Sequence, residues 1–294
     1  MENVSMRLHA FSSVCRERPR HRALLIPSAK PDGPGARATL MEGPHATEES
    51  MDMFAATLST LAEGTDVAVV TLLGSLCPVT RGHIIAFLEA RRLLLGEDDM
   101  PVSRPARLQP FGEVVGLISL NRSSYVNRKL TSKGTNSISM SERHMLVRLA
   151  VAELPWISTE ETEGCTLDAL RSSWPHLRFT HFYMNGADDV RRHRKWTWAG
   201  PECRMLTMGR PGDTEAVLQS ARNAGVDLED GTFIMGPELP DVSSSDARTA
   251  LSSGDVASAS AMLHPDVLAW CVEHGPWTPL RDARASSDAE VDHG

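Results

Sequence analysis

The sequence predicts an α/β protein built on one doubly wound parallel sheet, and three observations predict it. A continuous apolar run of strand length opens the structured part, Asp66-Val-Ala-Val-Val-Thr-Leu-Leu73, as expected of a strand buried on both faces of a parallel sheet. Further strand-length runs then alternate with segments whose apolar residues recur at helical spacing, the pattern of βα units. The chain has 294 residues, 41% of them hydrophobic, which suits one large domain flanked by tails.

The elements follow in order. From about Ser28 to Glu63 the chain is rich in Pro, Gly, Ala and Thr and reads as linker, with one short helix near Glu48–Ala62. Residues 1–63 are therefore expected to be a largely disordered extension, residues 64–280 the folded domain, and residues 281–294 a disordered polar tail. After the strand at 66–73, Ile84–Leu95 reads as a helix and Glu113–Leu120 as the next strand. Ser139–Leu154 is a long amphipathic helix that Ser139 or Ser141 caps. Arg178–Met184 and Cys203–Met208 are strands, and Thr214–Ala224 is a helix closed by Gly225. Thr232–Met235 is a short fifth strand, and Ser243–Leu251 and Pro265–His274 are closing helices. No repeat of fixed period is present.

Composition removes several function classes. The net charge of −8 and pI near 5.8 leave no broad basic field for a nucleic acid backbone. Small anions remain accessible through a few arginines and backbone N–H groups. The five cysteines (Cys15, Cys77, Cys165, Cys203 and Cys271) are odd in number and form no C-x-x-C pair, arguing against a disulfide framework or a zinc site. Their usage fits a reducing intracellular compartment, cytoplasmic or nuclear. No apolar run is long enough to span a membrane. Arg7, Arg16, Arg18, Arg20 and Arg22 give the first thirty residues a presequence-like bias that Glu2 and Glu17 oppose, so this stretch reads as a disordered leader.

The chemistry concentrates in Gly74-Ser-Leu-Cys-Pro-Val-Thr-Arg-Gly-His83, which leaves the carboxyl end of the first strand and enters the first helix. In a doubly wound sheet, ligands sit beyond the carboxyl ends of the strands. Gly74 lets the backbone approach a phosphate, Ser75 and the following N–H groups donate to it, Pro78 stiffens the turn, and Thr80 caps the helix. His83 lies in the first helical turn, where the dipole favours negative charge. The alternative is an ordinary strand-turn-helix connection with His83 on the surface; the length and position of the string favour function.

This string resembles the (H/T)-x-G-H signature of the nucleotidyltransferase superfamily, and specifically Gly-Ser-Phe-Asn/Asp-Pro-x-Thr-x-x-His of nicotinamide and nicotinate mononucleotide adenylyltransferases. Leu76 stands where Phe is common, and Cys77 where Asn or Asp is usual. A second segment, Val242-Ser-Ser-Ser-Asp-Ala-Arg248-Thr-Ala-Leu251-Ser-Ser-Gly254, is similar to the Ile-Ser-Ser-Thr-x-x-Arg…Leu…Gly motif of that superfamily. Physically it offers serine hydroxyls, helix N–H groups and one forked cation. Tyr183-Met-Asn-Gly-Ala-Asp188 resembles the family's Gly-Ala-Asp element, where Gly186 permits close approach and Asp188 accepts from ribose hydroxyls or a base amine.

The resemblance implies a Rossmann-like nucleotidyltransferase domain that transfers an adenylyl group from ATP to nicotinamide or nicotinate mononucleotide, giving NAD or its deamido form and pyrophosphate. It makes His83 and Arg248 catalytic. Gly74, Ser75, Leu76, Thr80, Gly82, Gly186, Asp188, Ser243 and Ser244 become the ATP and phosphate contacts. Trp174 and Trp196 are the candidates for stacking on the pyridinium ring, with Lys129 or Lys133 at the mononucleotide. It also implies Mg²⁺ carried by substrate phosphates and water, with no protein metal cage, and it allows a homo-oligomer. Ser141-Glu-Arg-His144 resembles the family's Ala-x-His-Arg helix start with Arg and His exchanged, and Arg210 falls in a segment similar to Thr-Arg-x-Gly. Two other readings stand beside this one: a phosphopantetheine or other small-phosphate adenylyltransferase of the same superfamily, and a catalytically inactive nucleotide-binding scaffold.

Overall fold

The computed structural model describes residues 54–160, 167–201 and 203–277. The expected leader up to residue 53 and tail from 281, together with Cys15 and Cys165, lie outside the described residues. Six strands form one sheet: β1 (Asp66–Gly74), β2 (Glu113–Leu120), β3 (Ile157–Glu160), β4 (Arg178–Gly186), β5 (Arg204–Gly209) and β6 (Phe233–Glu238). Their order is β3-β2-β1-β4-β5-β6, and every pairing is parallel. The doubly wound sheet expected from the alternation is therefore present, with six strands rather than five. The strand that the periodicity does not reveal is β3, four residues at the sheet edge with only Ile157 strongly apolar.

The helices are α1 (Arg81–Leu95), α2 (Ser123–Thr131), α3 (Met140–Val151), α4 (Leu167–Ser173), α5 (Ala187–His193), α6 (Thr214–Asn223), α7 (Ser244–Ser253), α8 (Val256–Met262) and α9 (Pro265–His274). A 3-10 turn covers Lys195–Trp198. Of the two serines that could cap α3, Ser139 does so: its hydroxyl accepts from the Glu142 N–H, and Glu142 returns a bond to the Ser139 N–H, a reciprocal capping box.

Alternation along the strands divides the core. Ala68 and Val70 of β1, with Val114 and Ile118 of β2 and Phe182 and Met184 of β4, face α1, α3, α7 and α9 in the largest cluster. Val67, Val69, Val115 and Phe179 face the other way, into a second cluster that Phe54, Leu58 and Trp174 complete. Phe54 and Leu58 are almost wholly buried and residues 54–58 are helical, so the folded unit reaches back beyond the expected boundary at 64. Ala187, Val190, Trp196, Met205, Val217 and Phe233 form a third cluster under α5 and α6.

The strand order reverses between β1 and β4, the two central strands. That is the switch point of a doubly wound sheet, where the connections diverge and leave a crevice beyond the carboxyl ends. Gly74 ends β1 and Gly186 ends β4, so both sequence-predicted glycines border this crevice. Among the described residues no helix is long and apolar enough to cross a membrane.

Candidate anion site at the switch point

The turn from Gly74 to Thr80 joins β1 to α1 and is tied down by other elements. Its Ser75 carbonyl accepts from Arg143 Nη1 at 3.0 Å, its Cys77 carbonyl from Arg248 Nη1 at 2.6 Å, and its Pro78 carbonyl from Ser244 Oγ at 2.7 Å. The Cys77–Pro78 peptide is cis, and Leu76 has φ 42°, a left-handed conformation that costs a non-glycine residue about 1–2 kcal/mol. The Leu76 side chain is buried and folds back on Gly74, where an added Cβ would meet Leu76 Cδ2 at 2.9 Å. Gly74 is thus required by the turn's own packing. Among the described residues, the N–H groups of Ser75, Leu76 and Val79 reach no acceptor.

At the start of α1, Thr80 is the N-cap and is almost wholly buried. Its N–H donates to His83 Nδ1 at 3.1 Å, and its hydroxyl lies 2.8 Å from the same nitrogen. A nitrogen that accepts an N–H carries no proton, so these contacts place the imidazole hydrogen on Nε2. Burial first, and the positive Arg210 with it, hold the His83 pKa down to about 4. His83 is therefore neutral at pH 7 and offers an Nε2–H donor at the positive end of a helix.

The second segment brings α7 against this turn. Ser243 caps α7, its hydroxyl accepting from the Asp246 N–H and contacting Asp246 Oδ2. The Ser244 hydroxyl goes to Pro78. Both hydroxyls expected at the phosphate are therefore engaged within the protein, whereas the Ser244 and Ser245 N–H groups of the first turn of α7 reach no acceptor among the described residues. Arg248 is 6% exposed and braces the turn through Cys77, with Nη2 on Ser245 Oγ at 3.2 Å. A Cβ added at Gly82 would meet Val242 at 3.5 Å, an ordinary contact, so the space beside Gly82 does not itself demand a glycine. Burial pushes the Cys77 thiol up, against the pull of the Ile138 backbone and of the Arg248 and Arg143 charges; the residue that departs from the resembling motif thus sits between two buried guanidiniums.

The carboxyl end of β4 adds a charged rim. Asp188 Oδ1 lies 3.3 Å from Arg210 Nε, and Arg210 Nη1 lies 3.3 Å from Asp241 Oδ1. Gly186 makes room for that arrangement, since a Cβ there would stand 2.8 Å from Asp188 Oδ1. Lys195 Nζ bonds Asn185 at 2.7 Å and Asp189 at 2.5 Å. From α2, Lys129 Nζ reaches Ser75 Oγ at 3.3 Å. Burial, then the charge of Lys133, hold its pKa down, with Arg248 and Arg192 acting in the same sense. Of the two candidate lysines, Lys129 contacts the turn, whereas the Lys133 ammonium meets no polar partner among the described residues.

The two tryptophans do not join this site. Trp174 is 7% exposed and packs with Phe54, Leu58 and Val67, its Nε1 donating to Ser59 Oγ at 3.2 Å. Arg178, just after Trp174, pairs with Asp66 at the start of β1, and Gly74 ends that strand, so about 26 Å of strand separates the two ends of β1. The stacking role expected for Trp174 is corrected on this ground: it belongs to the core at the far end of the sheet. Trp196 is 4% exposed, packs under α5 and α6, and offers no open ring face. Trp198, two residues on, is only half-buried and lies beneath Lys195 at 5.6 Å.

Arg143 and Arg210, which the sequence places only within segments resembling family motifs and to which it gives no contact, are brought to the turn and its rim by the fold. A signal for Arg143 exists: it shares the buried face of α3 with Leu146, Val147 and Ala150, an arginine on an apolar stripe. Among the described residues no group of three or more His, Cys, Asp or Glu converges on one point. Asp188 and Asp241 are both engaged by Arg210.

The fold defines a doubly wound α/β protein whose β1–α1 turn, with N–H groups that reach no acceptor among the described residues, lies at the switch point. No protein-family model matches the chain, and a search of curated proteins finds no match. Solved structures similar to it include two of one enzyme. One is Plasmodium falciparum nicotinic acid mononucleotide adenylyltransferase complexed with NaAD, at TM-score 0.45 and 13% identity, covering 71% of this chain and 97% of that one. The other is the same enzyme complexed with APC, at TM-score 0.43 and 14% identity, covering 72% and 97%. Neither likeness is high enough to place the chain in a family.

Proposed function

We propose that this protein transfers an adenylyl group from ATP to a small acceptor bearing a phosphate, with nicotinamide or nicotinate mononucleotide as the acceptor to be tried first. The observation that carries the reading is the neutral His83 at the start of α1, its Nδ1 held by Thr80, beside a turn whose N–H groups have no acceptor among the described residues. Donors directed at developing charge in a site of low dielectric are the main device for this chemistry.

An acceptor phosphate oxygen attacks the α-phosphorus, the bond from that phosphorus to the bridging oxygen breaks, and pyrophosphate leaves. The attacking oxygen is already ionised, so positioning and charge neutralisation replace general base catalysis. The turn N–H groups and His83 Nε2–H hold the α- and β-phosphates, the first N–H groups of α7 take the leaving pyrophosphate, and Lys129 sits at the acceptor side. Asp188 meets the nucleoside. Mg²⁺ would travel on the triphosphate and neutralise its charge, since no group of three or more His, Cys, Asp or Glu gathers among the described residues to hold it.

The burial of both Trp174 and Trp196 favours a second reading in which the acceptor is not a pyridine mononucleotide but another small phosphate such as phosphopantetheine. A coupled assay decides. NAD formed from ATP and nicotinamide mononucleotide, and abolished in His83→Ala, supports the first reading. Pyrophosphate release with phosphopantetheine alone supports the second. No pyrophosphate release with any of these acceptors overturns both and leaves a nucleotide-binding scaffold.

A further inference from the structure

We infer that Arg143 is a positioning residue of the anion-binding turn, one that sets the direction of its amide donors and charges it from beneath; this rests on the reading of the turn as a polyphosphate site. Arg143 is 0% exposed, and a guanidinium keeps its proton in proteins. Its Nη1 donates to the Ser75 carbonyl, while Nε and Nη2 have no partner among the described residues. Among the described residues no carboxylate lies within ion-pair distance of it, although buried charges are ordinarily paired.

The contact with Ser75 has a geometric consequence. The Ser75–Leu76 peptide is trans and planar, so its C=O and N–H point in opposite directions. Drawing the Ser75 oxygen towards Arg143 turns the Leu76 N–H away from α3. The same device recurs at Pro78, whose carbonyl is drawn to Ser244, turning the Val79 N–H away from α7. Leu76 is the residue held at positive φ, and a left-handed leucine persists only where its surroundings over-determine it. Arg143 on one side and Arg248 on the other supply that constraint. The charge matters as well as the bond. Arg143, with no carboxylate at ion-pair distance among the described residues, and Arg248, on which the Asp246 carboxylate acts in opposition, raise the potential at the turn, and a polyanion is the ligand that satisfies them.

The test compares wild type with Arg143→Met and Arg143→Lys by calorimetric titration with ATP and with inorganic tripolyphosphate, alongside melting curves and steady-state KM values. The expected result is ATP and tripolyphosphate binding weakened about ten- to hundredfold in Arg143→Met. The acceptor KM should stay unchanged, and Arg143→Lys should recover part of the loss. A purely structural role would lower the melting temperature and move both substrates' KM together. If Arg143→Met does not fold, Arg143→Lys decides: a folded lysine variant with wild-type ATP affinity overturns the inference, and an ATP-specific loss upholds it. Folded variants that bind both probes as wild type does overturn the inference while leaving the polyphosphate reading intact. A wild-type protein that binds neither probe overturns that reading itself.

Discussion

At the amino end of the sheet Arg178 grips Asp66 through two bonds of 2.7 and 2.6 Å, and Trp174 gives its indole N–H to Ser59. At the carboxyl end Arg143 and Arg248 lie buried on backbone carbonyls, and the turn N–H groups between them reach no acceptor among the described residues. Both ends are built from the same strands, yet one closes its polar groups on itself and the other holds them open. Folding alone rewards the first arrangement, because a buried donor without a partner costs about 1–3 kcal/mol. The second persists where a ligand supplies what the protein leaves out. The aromatic and apolar content of the amino end is therefore stabilising, and the cationic, strained carboxyl end is where chemistry is expected.

Substitutions can break this contrast from either side. The largest effect is expected at His83: His83→Ala should lower turnover by about 10²–10³-fold, the usual loss on removing one oriented donor, with circular dichroism unchanged. Trp174→Ala should do the reverse, lowering stability in urea titrations by about 3–5 kcal/mol while the folded protein keeps its KM values. A Trp174→Phe variant with a raised acceptor KM would return Trp174 to the site. Gly74→Ala places a methyl group 2.9 Å from Leu76 Cδ2, and should weaken ATP binding about tenfold through displacement of the turn. Adding Leu76→Ala removes the clashing atoms and should restore part of that affinity.

The smallest expected effect is in pH dependence. His83 and His181 both have their pKa values lowered to about 4 in the folded protein, in each case by burial first. Their ordinary value is 6.5, so between those limits the unfolded chain binds protons that the folded chain refuses. The stability they contribute is complete above about pH 6.5 and is lost as pH falls towards 4. Urea midpoints should decline over that window, and less steeply in His83→Gln. Turnover should show no inflection near pH 6.5, since His83 stays neutral well below it.

The sequence made much of this legible where local chemistry alone decides. β2 and α9 have the bounds that periodicity and turn residues predict, and β1 runs one residue further. A continuous apolar run or a His-Pro-Asp start admits few alternatives. β3 escaped because an edge strand of four residues, largely polar, carries no period. The turn was legible as a tight strand-to-helix connection at the switch point from its glycine, its cap and its place after a buried strand. The roles of its partners were not, because a serine hydroxyl binds a helix end or a neighbouring carbonyl as readily as a phosphate. Ser243 and Ser244 do so here. Trp174 and Trp196 show the same ambiguity for aromatics, since composition cannot separate a ring that stacks on a ligand from one that fills a core. Arg143 shows the converse: its position on the apolar face of α3 marks it as unusual, but only the folded chain brings it under Ser75.

The most direct measurement is a ¹⁵N-resolved titration of the protein with ATP. Saturable shifts are expected at the amides of Ser75, Leu76, Val79, Arg81 and Gly82 and at the first turn of α7, with the amides around Trp174 and Phe54 unmoved. Shifts centred on the Trp174 cluster, or no saturable shift at the turn, would contradict the polyphosphate reading of the turn.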